Sequence, residues 1–106
     1  MSTPFNADYY RRQRKVIELI PSERDRQDDT WGPLPRFLTS HDWLAILVEE
    51  VGEVVKGIVE ADKTSWPMLR EELVQSAAVA VAAIEDMDAQ YGGPEPATSG
   101  GAEVRR

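Results

Sequence analysis

The chain has 106 residues, with 12 basic and 19 acidic side chains and a formal net charge of −7. That is one domain with a modest core, and a chain this short buries little apolar surface alone, so self-association is expected. The absence of cysteine excludes disulfides, Cys-ligated zinc, iron–sulfur clusters and a thiol nucleophile, and the single histidine, His41, lacks the Gly-x-Ser-x-Gly context of a serine triad.

Residues 6–20 lack Gly and Pro and read as a first helix, with Asn6 as cap and Val16, Ile17 and Ile20 as a short apolar edge. Pro21 interrupts it. Residues 22–31 read as a second short helix capped by Ser22, and Gly32, Pro33 and Pro35 then enforce a loop. Thr39 or Ser40 caps a strongly helical stretch that runs to about Asp62, with Asp42 in its first turn. Lys63-Thr64-Ser65 is a tight connector. Ser65 caps a last helix, with Pro67 in its first turn, and that helix runs to Tyr91, where Gly92-Gly93-Pro94 stops it. Residues 92–106 are rich in Gly, Pro, Ser and Thr and read as a disordered tail behind a single domain over 1–91. No strand pattern or internal repeat appears, so the predicted class is all-α. No apolar run reaches the ~18 residues that a membrane span needs, and the N-terminus is charged rather than signal-like. The expected location is cytoplasmic, with no membrane partner.

Charge is unevenly spread. Residues 1–40 hold seven basic and six acidic side chains, whereas residues 41–91 hold three and eleven. Such an acidic centre does not attract nucleic acid. It fits a solvated face or a carboxylate site for a hard cation. On a helical wheel, Trp43, Leu44, Leu47, Val48, Val51, Val54, Val55, Ile58 and Val59 span an apolar arc of roughly 160°. Glu49, Glu53, Lys56 and Glu60 lie on the opposite flank, where Lys56 pairs with solvated acids. Glu50 lies about 20° from Trp43, at the edge of the apolar arc. An ionised carboxylate there needs a partner, a proton or a metal. Glu53 is three residues on and can share an ion with it.

In the last helix Glu72 and Gln75 repeat the same i, i+3 spacing, on a stripe with Val79 and Asp86. Folding the two helices back across the connector brings the two pairs to similar height. Three carboxylates and an amide oxygen then converge, a donor set that favours Mg²⁺ or Mn²⁺ over zinc. Ala77–Ile84 contains no polar residue, and a helix apolar all round needs cover on every side. The expected architecture is a helical-hairpin bundle whose four-helix core is completed by a second copy.

Glu49-Glu50-Val51-Gly52-Glu53 followed by Glu72-Leu73-Val74-Gln75 resembles the EExxE…ExxD signature of the MazG-like all-α nucleoside triphosphate pyrophosphohydrolases. Glu23-Arg24-Asp25-Arg26-Gln27 with Trp31-Gly32, and the run from Glu72 into the alanines, resemble a bacterial and phage subgroup. The resemblance implies Mg²⁺-dependent cleavage of a nucleoside triphosphate to the monophosphate and pyrophosphate, by a homodimer or homotetramer. By position it makes Glu50, Glu53 and Glu72 metal ligands and puts Gln75 where the family usually has Asp. Glu49 then holds a second metal or positions the attacking water. Phosphoanhydride hydrolysis needs charge neutralisation and a placed water, not a protein nucleophile. Arg24, Arg26, Lys56 and Arg70 are candidates to neutralise phosphate. Trp31 is the candidate base-stacking residue, with Gln27 as base reader, and Trp43 reads as core. The loss of one charge at Gln75 leaves an alternative: a catalytically weak or inactive interaction module of the same fold. A related enzyme acting on a phosphoribosyl-linked pyrophosphate would use the same cage.

Overall fold

The computed structural model describes residues 7–60 and 65–93. All regular structure among them is helical: α1 (Ala7–Ile17), α2 (Leu19–Trp31), α3 (Ser40–Val59) and α4 (Trp66–Tyr91). No helix among the described residues is long and apolar enough to cross a membrane.

The first two helices divide differently from the sequence expectation. The proline ring at 21 would press on the carbonyl of Ile17, four residues back, so α1 ends at Ile17. Glu18 keeps helical torsions, and α2 starts at Leu19 without a side-chain cap. Pro21 is thus in the first turn of α2, where its missing N–H is not needed. Ser22 is not the cap; it lies inside the helix and its hydroxyl donates to the Leu19 carbonyl at 3.3 Å. Gly32 ends α2 with φ +97°, a torsion that side chains strongly disfavour, and its N–H bonds the Asp28 carbonyl. The expected cap Asn6 lies outside the described residues.

The later signals work as local chemistry dictates. Thr39 and Asp42 form a reciprocal capping box at the start of α3. Ser65 accepts from the Met68 N–H, Pro67 sits in the first turn, and Gly92 at φ +82° terminates α4. The end of α3 falls at Val59, short of Asp62, and the connector 61–64 and residues 94–106 lie outside the described residues.

α4 packs on both α3 and α2, while α1 touches only α2. Trp43, Val79 and Ala82 form the buried centre, with Leu34, Leu38, Ile46, Leu47, Ala83 and Met87 packed around it. The apolar segment Ala77–Ile84 therefore finds its second cover within its own chain. Ala78, Val79 and Ala82 are buried between α2 and α3, and only Ala77 and Ile84 are exposed. α2, read in sequence only as a short second helix, buries Arg24 and Gln27 against α4. On α3, Leu44, Val48, Val51, Val55, Ile58 and Val59 are exposed.

Candidate functional site

α2, α3 and α4 and the loop before α3 enclose a cleft of about 380 Å³. Its floor is apolar: Trp43 and Ile46 from α3, Val79 and Ala82 from α4. Gln27 and Trp31 from α2 form one wall, and Glu49 and Glu50 from α3 form another. The helical period places Trp43, Ile46 and Glu50 on one face of α3, at spacings of three and four, and Gln27 and Trp31 on one face of α2, four residues apart. Arg36, from the loop, completes the lining.

Glu50 is half-buried, and burial pushes its carboxyl pKa up. The charges of Glu49, Glu53 and Glu23 raise it further, against a smaller opposing effect of Arg26. Three carboxylates thus act on Glu50, and a bound cation would relieve that repulsion. The donor set suits a hard cation in kind, since every group offers oxygen. Among the described residues, no three acidic or histidine side chains are drawn together as a ready-made ligand group.

The other proposed ligands lie beside the cleft rather than in its lining. Glu53 is exposed on α3, and Glu72 and Gln75 are half-buried on α4. The Gln75 main-chain carbonyl accepts from the Gln27 amide at 3.2 Å, and the same amide nitrogen donates to Glu23 at 3.0 Å. Gln27 is therefore a buried strut between α2 and α4 as well as a lining residue, and its amide nitrogen is already engaged. Glu23 also takes two hydrogen bonds from Arg26, at 2.9 and 2.7 Å. The Arg26 bonds pull the Glu23 pKa down, burial opposes them, and Gln27 adds to the lowering.

The basic residues separate. Arg24 is buried on the far side of α2, bonded to Asp28 at 3.0 Å and to Glu85 at 3.2 Å. Burial works against its charge, but the two carboxylates outweigh it and raise its pKa. It faces a second, shallow groove with Ile17, Ile20 and Val81, away from Glu49 and Glu50. Arg26 and Arg70 share a third groove with Glu23 and Glu71. Lys56 is exposed near the end of α3. The structure thus brings Gln27, Trp31, Glu49 and Glu50 together and leaves Arg24 and Lys56 out of the cleft.

Two residues of the cleft region carried no assignment in the sequence. Asp86 is fully buried and accepts four hydrogen bonds: the backbone amides of Arg36 (2.7 Å), Phe37 (2.8 Å) and Leu38 (2.9 Å), and the Trp43 indole N–H (2.8 Å). Burial alone would raise its pKa, but the bonds from Phe37, Trp43, Leu38 and Arg36 outweigh burial and hold it at about 2. Three successive amides turned toward one carboxylate make an anion-binding concavity, filled here by the chain itself. The second residue, Arg36, stands over the Trp43 ring at 5.2 Å. No helical period reaches into the loop, so only the Pro and Gly punctuation marked this segment. Comparison of the chain with family models, curated proteins and solved structures gives no match.

Proposed function

We propose that this chain is a Mg²⁺-dependent nucleoside triphosphate pyrophosphohydrolase of the MazG-like all-α type, with Mn²⁺ as an alternative metal. The observation that carries the reading is the cleft in which an acidic pair, Glu49 and Glu50, shares walls with Trp31 and Gln27. An aromatic face suits a base, and carboxylates suit the cations that accompany phosphates. Glu50, Glu53 and Glu72, with the Gln75 amide oxygen, would hold the metal, which supplies charge neutralisation on the phosphates. Glu49 would hold a second metal or, by accepting a hydrogen bond, position the attacking water. Trp31 stacks the base, and the apolar floor of Trp43, Ile46 and Val79 excludes bulk water.

A homodimer or larger assembly is part of the same proposal. Leu44, Val48, Val51, Val55 and Ile58 are all exposed and follow the alternating four and three spacing of a helix-pairing seam. Gly52 lies beside that seam, and a Cβ added there would meet nothing within 4 Å in its own chain. A mid-helix glycine costs about 1 kcal/mol relative to alanine, and close approach of a second helix gives it a use.

The test is a panel of ribo- and deoxyribonucleoside triphosphates with Mg²⁺ or Mn²⁺, with products resolved by ³¹P NMR. Pyrophosphate release is the expected result, and orthophosphate release would point to a different phosphatase chemistry. The second reading, an interaction module without turnover, draws on Gln75 in the acid position and on the absence of a preassembled acidic group among the described residues. Absence of turnover across the panel would favour it.

A further inference from the structure

We propose that Arg36 reads the heterocycle of the bound nucleotide and selects a base that presents two adjacent hydrogen-bond acceptors on one edge. This rests on the nucleotide reading of the cleft. Arg36 lines that cleft, and no acceptor among the described residues takes up its side-chain donors. Its Nε is buried without a partner. Arg11, Arg24 and Arg26, by contrast, each pair with a carboxylate. A buried donor left unpaired is destabilising, and an open cleft beside it is where an acceptor can arrive.

The guanidinium is also held ready. The Arg36 backbone amide is tied to Asp86 at 2.7 Å, and Phe37 next to it is held at φ +57°, a left-handed torsion, by a second bond to the same carboxylate. The Trp43 ring beneath the guanidinium is pinned by Asp86 too, through its indole N–H. Both the base of the Arg36 side chain and the surface it rests on are therefore fixed by one buried acid. Only the side-chain torsions of Arg36 remain to adjust on binding.

The position favours the base over the phosphates. Glu50 follows Trp43 by seven residues on α3, about 10 Å at the helical rise. Cation-borne phosphates belong at the acidic end, which leaves the heterocycle at the Trp43 and Arg36 end. A guanidinium offers parallel donors in a rigid fork. Guanine matches it with N7 and O6, and cytosine with N3 and O2. Adenine and uracil alternate donor and acceptor along their edges and can engage only one arm.

The test is calorimetric titration of the wild type, Arg36→Met and Arg36→Lys with CMP, GMP, AMP, UMP and ribose 5-phosphate, in the presence of Mg²⁺. Circular dichroism checks that each variant is folded. The wild type should bind CMP or GMP about tenfold or more tighter than AMP and UMP, by the strength of one charged hydrogen bond. Arg36→Met should lose that preference and leave ribose 5-phosphate unchanged. Arg36→Lys keeps the charge without the fork and should lose it as well, which serves if Arg36→Met does not fold. Retention of the preference in both variants would overturn the assignment, as would a wild-type preference for AMP or UMP. Equal weakening of every ligand, ribose 5-phosphate included, would make Arg36 a phosphate contact and overturn it too. If the wild type binds none of the nucleotides, the nucleotide reading itself fails and the inference falls with it.

Discussion

At Asp86 one carboxylate holds three backbone amides and an indole, and so ties the loop before α3 to the middle of α4. Removing it in Asp86→Ala orphans buried donors at about 1–3 kcal/mol each. The expected result is a fall in melting temperature of at least about 10 °C, measured by circular dichroism. The pKa makes a separate prediction. Asp86 sits at about 2 in the fold, below its ordinary 3.8. Its ionised form therefore contributes stability in full above about pH 4, and that contribution, roughly 2 kcal/mol, is lost as pH falls toward about 2. Urea unfolding between pH 2 and 5 should show this acid limb in the wild type and lack it in Asp86→Asn. An identical limb in both would assign the acid sensitivity elsewhere. Glu50 behaves oppositely. Burial and the neighbouring acids raise its pKa, so its charge opposes folding at neutral pH. Glu50→Gln should melt higher than wild type in chelator, yet Glu50→Gln, Glu53→Gln and Glu72→Gln should each cut Mg²⁺-dependent turnover about 100-fold or more. Near wild-type rates at saturating Mg²⁺ would remove those residues from the metal site. Gln75→Glu adds a charge without changing length, and should lower the apparent Mg²⁺ constant in calorimetry with a non-hydrolysable nucleotide.

Among the elements, α4 carries the largest share of the packing, with Ala78, Val79, Ala82 and Asp86 all buried. Small side chains let α2 and α3 approach it from two sides. Ala82, at 1% exposure, touches both the core and the cleft. Ala82→Glu would place an unpaired charge there, at several kcal/mol, and should leave the chain unfolded at room temperature. A cooperative melt near the wild-type temperature would show that α4 can rotate the position outward. α3 has two apolar faces with different fates. Trp43 and Val54 turn into the core, while Leu44, Val48, Val51, Val55 and Ile58 do not. The wheel alone shows one broad arc, because periodicity reports where apolar residues lie and not how many neighbours cover them. The caps of α3 and α4 and the glycine stops were legible, since Thr39, Asp42, Ser65, Gly32 and Gly92 act within four residues of themselves, whereas Ser22, read as the cap of α2, lies inside that helix.

For the whole molecule, the exposed α3 seam decides the expected assembly. Light scattering should give at least twice the 11.9 kDa of one chain at micromolar concentration. Val51→Glu with Val55→Glu, which sets two charges into the seam, should yield a folded monomer. A wild type that is monomeric with native circular dichroism would remove the dimer from the proposal.

The helical class, the helix stops at Gly32 and Gly92, the caps of α3 and α4, and the grouping of Glu49, Glu50 and Glu53 on one helix can all be read from the order of residues. Each rests on interactions within a turn or two of the backbone, and local spacing encodes those completely. Packing of the folded chain is what lays α2 over the second face of α4, binds Arg24 to Glu85 from 61 residues away, and lets Asp86 gather the loop at 36–38. These depend on which surfaces meet after folding. An isolated Asp in a helix or an Arg in a Pro-flanked loop carries no periodic mark of its eventual neighbour, because burial and hydrogen-bond partners are properties of the packed chain and not of the residue.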